Sequence, residues 1–140
     1  MTAKVVYNGE LRTHITHIQS GTVIETDAPT YNHGKGERFS PTDLVAAALG
    51  SCIVTTIDIL SKKDGINIDG TTCEVLKVMV SDPRRIGGLQ VHLTFPKGNT
   101  YTEAQKIKLA HIASHCPVAM SLHPDCIQAL TFNWNSTDNA

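Results

Sequence analysis

Phe39-Ser-Pro-Thr-Asp-Leu-Val-Ala-Ala-Ala-Leu-Gly-Ser-Cys-Ile-Val-Thr-Thr-Ile-Asp-Ile-Leu-Ser-Lys-Lys63 reads as one long helix. Ser40 suits the N-cap and Pro41 the first helical position, with Asp43 at the third completing an acidic capping box. Lys62, Lys63 and Gly65 are stop signals. Between these ends Leu44, Val45, Ala46, Ala47, Ala48, Leu49, Ile53, Val54, Ile57, Ile59 and Leu60 place apolar or small groups on every side. A helix that is apolar all round is expected to be buried, and Gly50 and the alanines let other backbones come close. Cys52 sits in the middle of this rod.

On the N-terminal side, Ala3–Asn8 and the alternating run Leu11–Gln19 flank Gly9-Glu10, which predicts a β-hairpin. Thr22–Thr26 predicts a third strand, and Asp27–Arg38, with Pro29, Gly34 and Gly36, a long loop. On the C-terminal side, Asn67–Ser81 is rich in β-branched residues and contains Cys73, and Asp82–Gly88 reads as a turn. Leu89, Val91, Leu93 and Phe95 then alternate with polar residues in a half-buried strand. A second helix is expected over Thr102–His115, with Thr102 as its cap. Pro117 forces a break at His115-Cys116, after which a short helix runs to Leu122. Ile127–Trp134 is a last strand, and the polar tail from Asn135 is expected to fray.

This order predicts an α+β fold, a single domain over residues 1–140 with an antiparallel sheet of about six strands and its helices on one face. One such sheet and two modest helices cover an all-round apolar helix poorly. A homodimer that sandwiches two long helices between sheets would cover it.

Composition narrows the partners. In 140 residues the net charge is −1, from 12 basic and 13 acidic side chains, which leaves no basic field for nucleic acid. The N-terminal residues do not read as a signal peptide, and none is expected. The central helix, with Asp43 and Asp58 near its ends, is a better core helix than membrane span. Cys52, Cys73, Cys116 and Cys126 are too widely and irregularly spaced for a secreted disulfide scaffold, so the expected compartment is the cytoplasm.

Two of the four cysteines stand out. Cys52 has the composition of a small buried hydrophobe, and mid-helix it gains little from the helix dipole, so a reactive thiolate there needs a cation brought from elsewhere. Cys116, just before Pro117, is better placed locally, because the free N–H groups of the next helix can stabilise a thiolate. His111, His115, Cys116, His123 and Cys126 have ligand-like spacing but match no fixed zinc pattern. Arg12 lies on a strand among apolar neighbours, Glu37 and Arg38 precede the long helix, and Asp43 is a cap first and a catalytic partner second.

Phe39–Cys52, taken together with His115-Cys-Pro-Val-Ala-Met-Ser-Leu122, resembles the OsmC/Ohr family of cysteine-based peroxidases, named for osmotic induction and organic hydroperoxide resistance. The resemblance spans essentially the whole chain. It implies an intertwined homodimer with two long central helices between sheets. It also implies a peroxidatic Cys52 whose thiolate attacks the O–O bond of an organic hydroperoxide, and less readily of hydrogen peroxide, to become a sulfenic acid. Cys116 would resolve that acid as a Cys52–Cys116 disulfide, which a dithiol of lipoyl type or another thiol reduces. Arg12 matches the arginine that stabilises the thiolate, and no metal or organic cofactor is implied. Where the best-characterised members carry a glutamate after the helix-start proline, this chain has Thr42, so Asp43, with Glu37 the alternative, is expected to hold the arginine. The resemblance points to the OsmC-like subgroup. The rival reading is a non-catalytic OsmC-like protein that binds a small apolar or thiol-reactive ligand, or a His/Cys metal site.

Overall fold

Glu10 and Leu11, both at positive φ (55° and 61°), form the two-residue turn joining β1 (Ala3–Gly9) to β2 (Arg12–His17). Left-handed dihedrals at both central positions match the twist of paired antiparallel strands. β3 (Val23–Asp27) pairs with the other edge of β2, and the register sets Arg12 directly opposite Asp27. The loop after β3 contains a 3-10 turn, Thr30–Asn32. It closes at Gly34, where a Cβ would lie 1.8 Å from the Ala28 carbonyl oxygen, so no larger residue fits.

The computed structural model describes residues 1–135. The polar tail expected to fray lies outside them apart from Asn135. The chain divides into two compact units, Met1–Val45 and a second beginning at Ala46. Helix α1 (Pro41–Ser61) starts in the first unit and continues in the second. Its start follows the expected box: Ser40 Oγ accepts from Asp43 N–H at 3.1 Å, and the Asp43 carboxylate accepts from Ser40 N–H at 3.0 Å. At its end Ser61 donates to the Ile57 carbonyl at 2.6 Å, and Gly65 turns the chain in the left-handed region.

The second unit carries β4 (Thr72–Val80), β5 (Arg85–Thr94), α2 (Glu103–Ser114), α3 (Pro117–Ser121) and β6 (Ile127–Asn133). Strand β5 is central, antiparallel to β4 and parallel to β6. Its inward residues Leu89, Val91 and Leu93, with Phe95, are buried in one cluster with Leu49, Ile53 and Ile57 of α1 and Leu109, Ile112 and Ala113 of α2. Phe95, Tyr101 and Trp134 close one end of this core, Phe95 stacking on Trp134 at 4.5 Å.

The fold is α+β as expected, with three corrections. The strands form two three-stranded sheets, β1-β2-β3 and β4-β5-β6, in place of one sheet of six. One pairing is parallel, because α2 and α3 intervene between β5 and β6, and such a helical crossover returns the chain in the same direction. In addition, β5 begins at Arg85, so Arg85–Gly88, read as turn, is strand. Burial of α1 is one-sided within the chain. Ala46, Leu49, Gly50, Ile53 and Ile57 are buried, whereas Ile59 and Leu60 are exposed. The stretch Pro41–Asp64 is long and apolar enough to cross a membrane by length and composition, yet its buried stripe belongs to the core just described.

Candidate active site

The second unit brings Cys52 and Cys116 together. Helix α2 is capped by Thr102, whose side chain accepts from Gln105 N–H while Gln105 accepts from Thr102 N–H. Helix α2 stops at Ser114, and His115 is its last, non-helical residue. Cys116 is then extended (φ −67°, ψ 157°) and becomes the N-cap of α3, with Pro117 in the first turn. Its Sγ accepts from Ala119 N–H at 3.5 Å. Cys52, half-buried on α1, lies 3.7 Å from Thr56 Oγ1, one turn further along the same helix.

The two thiols are polarised in opposite directions. Burial alone would raise Cys52, but hydrogen bonds from Val118 N–H, the Thr56 hydroxyl and the Cys116 thiol outweigh it and hold Cys52 below its ordinary value. Burial raises Cys116, and Cys52, as hydrogen-bond acceptor and as charge, raises it further against the pull of the Ala119 and Val118 N–H groups. The pair therefore has one sulfur disposed to ionise and one disposed to keep its proton as donor. A thiolate beside a protonated thiol can attack an electrophile and then be captured as a disulfide.

The first unit builds the arginine. Arg12 Nε donates to Asp27 Oδ1 at 2.7 Å and Nη2 to Oδ2 at 2.9 Å, a two-pronged pair that follows from the β2–β3 register. The Asp27 side chain is fully buried and also accepts from Glu37 N–H at 3.1 Å. Glu25 and Glu37 carboxylates stand 3.5 and 3.9 Å from the same guanidinium. The Arg12 bond, more than opposing desolvation, holds Asp27 down at about 2, and Asp27 in turn raises Arg12 above its ordinary value. The acid that holds Arg12 is thus Asp27, with Glu37 at the edge. Asp43 contributes its carboxylate to the α1 cap.

The other sulfurs are differently placed. Cys73 on β4 faces α1 at Gly50, where a Cβ would come within 3.3 Å of its Sγ, and burial raises its thiol. Cys126 is buried, its N–H donating to the His123 carbonyl. His111 and His115 stack at 4.1 Å on an exposed surface, but among the described residues no three His, Cys, Asp or Glu side chains converge as a metal site would require.

The OsmC-like protein family matches residues 34–128, more than half of the chain and both cysteine motifs. The chain belongs to the OsmC-like family. None of the curated proteins matches it. A structure from Psychrobacter arcticus, provisionally described as an osmotic stress induced and detoxification response protein, is 45% identical. The alignment covers 95% of this chain and 96% of that one, with a TM-score of 0.90. Two more distant structures share the fold. The organic hydroperoxide resistance protein OsmC of Legionella pneumophila has 15% identity, 96% and 98% coverage and a TM-score of 0.76. The organic hydroperoxide resistance protein OhrB of Bacillus subtilis has 19% identity, 95% and 98% coverage and a TM-score of 0.68.

One group beside Arg12 and two beside Cys52 carry no motif of their own in the sequence. Asp27 was counted into a loop, although a position facing Arg12 across a hairpin is the natural place for its partner. Thr56 stands four residues after Cys52, the spacing that stacks two side chains on one helix face. The free N–H groups at the start of α3, expected to act on Cys116, act through Val118 on Cys52 as well.

Proposed function

We propose that the chain is a thiol-dependent peroxidase that reduces organic hydroperoxides, one OsmC-like domain working as a homodimer in the cytoplasm. The observation that carries this reading is the meeting of two free thiols, Cys52 on α1 and Cys116 at the N-cap of α3, and their opposed polarisation agrees with it. That organic hydroperoxide resistance proteins share the fold agrees with it.

In the reaction, the Cys52 thiolate attacks the outer oxygen of ROOH. The S–O bond forms as the O–O bond breaks, leaving Cys52–SOH and an alkoxide that takes up a proton to become ROH. The Cys116 thiol then attacks the sulfenic sulfur, expelling water and closing the Cys52–Cys116 disulfide. An external dithiol, of the lipoyl type or another, returns both sulfurs to the reduced state while becoming a disulfide itself. Arg12, held rigid by Asp27, is the cation of this reading. With three carboxylates within 4 Å, its charge is already largely answered, so removing it should slow the reaction only modestly. The exposed side of α1, with Ile59 and Leu60, is the surface the second subunit covers.

The test is to titrate the reduced protein with cumene hydroperoxide and with hydrogen peroxide while counting thiols. The wild-type chain is expected to lose two thiols and yield a Cys52–Cys116 linked peptide. Cys116→Ser should consume about one equivalent and then drift to sulfinic acid, whereas Cys52→Ser should not react. The reverse order would make Cys116 the attacking sulfur. No reaction from either would end the enzyme reading in favour of ligand binding.

A further inference from the structure

Three hydroxyls on the helices of the second unit turn back on the backbone. Ser61 donates to the Ile57 carbonyl at 2.6 Å, Ser121 to the Pro117 carbonyl at 2.7 Å, and Ser114 to the His111 carbonyl at 2.9 Å. This back-bonding is the ordinary fate of a helical hydroxyl. Thr56 departs from it. Its hydroxyl is partnered with Cys52 Sγ at 3.7 Å, within the range of a hydrogen bond to sulfur. In a helix threonine splits between two χ1 rotamers, and at Thr56 the hydroxyl lies within reach of Cys52 Sγ.

We propose that Thr56 is a positioning residue for Cys52, its hydroxyl donating to the thiolate and keeping the charged sulfur turned toward the start of α3. Either atom can donate while the thiol is protonated. An ionised sulfur can only accept, so ionisation settles the direction and strengthens the bond. The groups acting on this sulfur are then the Thr56 hydroxyl, Val118 N–H and the titratable thiol of Cys116. All three lie in the second unit, and they supply without a cation part of what a mid-helix cysteine lacks. The purpose of this arrangement rests on Cys52 being the sulfur that meets the hydroperoxide, but its test does not.

The test is the pH profile of Cys52 alkylation by iodoacetamide, followed on the Cys52 peptide by mass spectrometry in the reduced protein without peroxide. Thr56→Val keeps the shape and removes the donor, and Thr56→Ser keeps the donor. Thr56→Ala is a second donor-free variant should valine disturb folding, which circular dichroism checks. Thr56→Val and Thr56→Ala are expected to raise the apparent Cys52 pKa by about one unit, cutting alkylation near neutral pH about tenfold, with Thr56→Ser close to wild type. Unchanged profiles in the donor-free variants would overturn the proposal. So would a Thr56→Ser shift as large as that of Thr56→Val, because packing would then be the cause. If the alkylation shift is found but the wild-type protein consumes no hydroperoxide, the peroxidase reading fails and the role of Thr56 stands.

Discussion

Replacing Gly50 by alanine pits two effects of known size against each other. In a helix interior the change is worth about 1 kcal/mol in favour of alanine. The added methyl, however, would sit 3.0 Å from Val75 Cγ2 and 3.3 Å from Cys73 Sγ, both on β4. Comfortable carbon contacts are about 3.5–4.0 Å, so α1 and β4 must part by about half an ångström. Crowding of this kind in a packed core costs about 1–3 kcal/mol. Taking the middle of that range, Gly50→Ala should destabilise the protein by about 1 kcal/mol net. In a Val75→Ala background the nearer contact is gone and only that with Cys73 Sγ remains, so the same change should cost markedly less, a coupling of about 1–2 kcal/mol between the two sites. Urea denaturation of the four reduced proteins, at one protein concentration because a dimer is proposed, measures this. A wild-type background stabilised by Gly50→Ala, with no dependence on residue 75, would refute the close approach of helix and sheet at this point.

The Arg12–Asp27 pair predicts an acid-sensitive term. Because Asp27 is lowered from 3.8 to about 2 in the folded chain, its contribution is complete above the unfolded value and is lost as pH falls through that interval. Asp27→Asn should therefore flatten the stability profile in that window, and identical slopes for the two proteins would count against the pair. Ile59, 68% exposed on α1, should become a dimer-breaking position. Ile59→Glu is expected to sediment as monomer where the wild type sediments as dimer, and an unaltered sedimentation coefficient would remove that face from the interface. Cys73→Ala with Cys126→Ala should leave hydroperoxide consumption within about twofold of wild type, since neither sulfur belongs to the polarised pair. A folded double variant with lost turnover would move the chemistry to one of them.

Local signals were the legible ones. Ser40-Pro41…Asp43 and Lys62-Lys63…Gly65 bracket α1 to within two residues of its ends, because caps act over a single turn and are written in adjacent residues. Pro117 marks the α2–α3 break for the same reason. Sheet partnership was not legible. Ile127–Asn133 alternates like any half-buried strand, and its parallel register with Gly88–Thr94 depends on a crossover of which the strand itself carries no trace. At the site, the two cysteines stand out by type and neighbours, whereas their opposite polarisation depends on the Val118 N–H and on the second thiol, which packing brings to Cys52, as well as on Thr56 of the same helix. Arg12 invited a search for an acid at the start of α1. Asp27 answers it through strand register, a relation that emerges only once β2 and β3 are paired.

The parallel β5–β6 pairing has a consequence for how the site comes into being. The strand that completes the second sheet is the last element among the described residues, and α3, with Cys116 at its cap, lies in the segment that must already have crossed over when β6 docks. Pairings between segments far apart in sequence pay their loop-closure cost before any contact is gained, and so they form late. A chain still emerging from synthesis would carry Cys52 on a formed helix with no partner sulfur beside it, and its thiols would acquire their opposed characters only at the final assembly step. Trp134 is the only tryptophan in the sequence and stacks on Phe95 and Phe132 just beyond β6. Its fluorescence during refolding therefore reports the docking of this last strand. The change in Cys52 reactivity should follow the same time course, so a folding probe doubles as a clock for the assembly of the thiol pair.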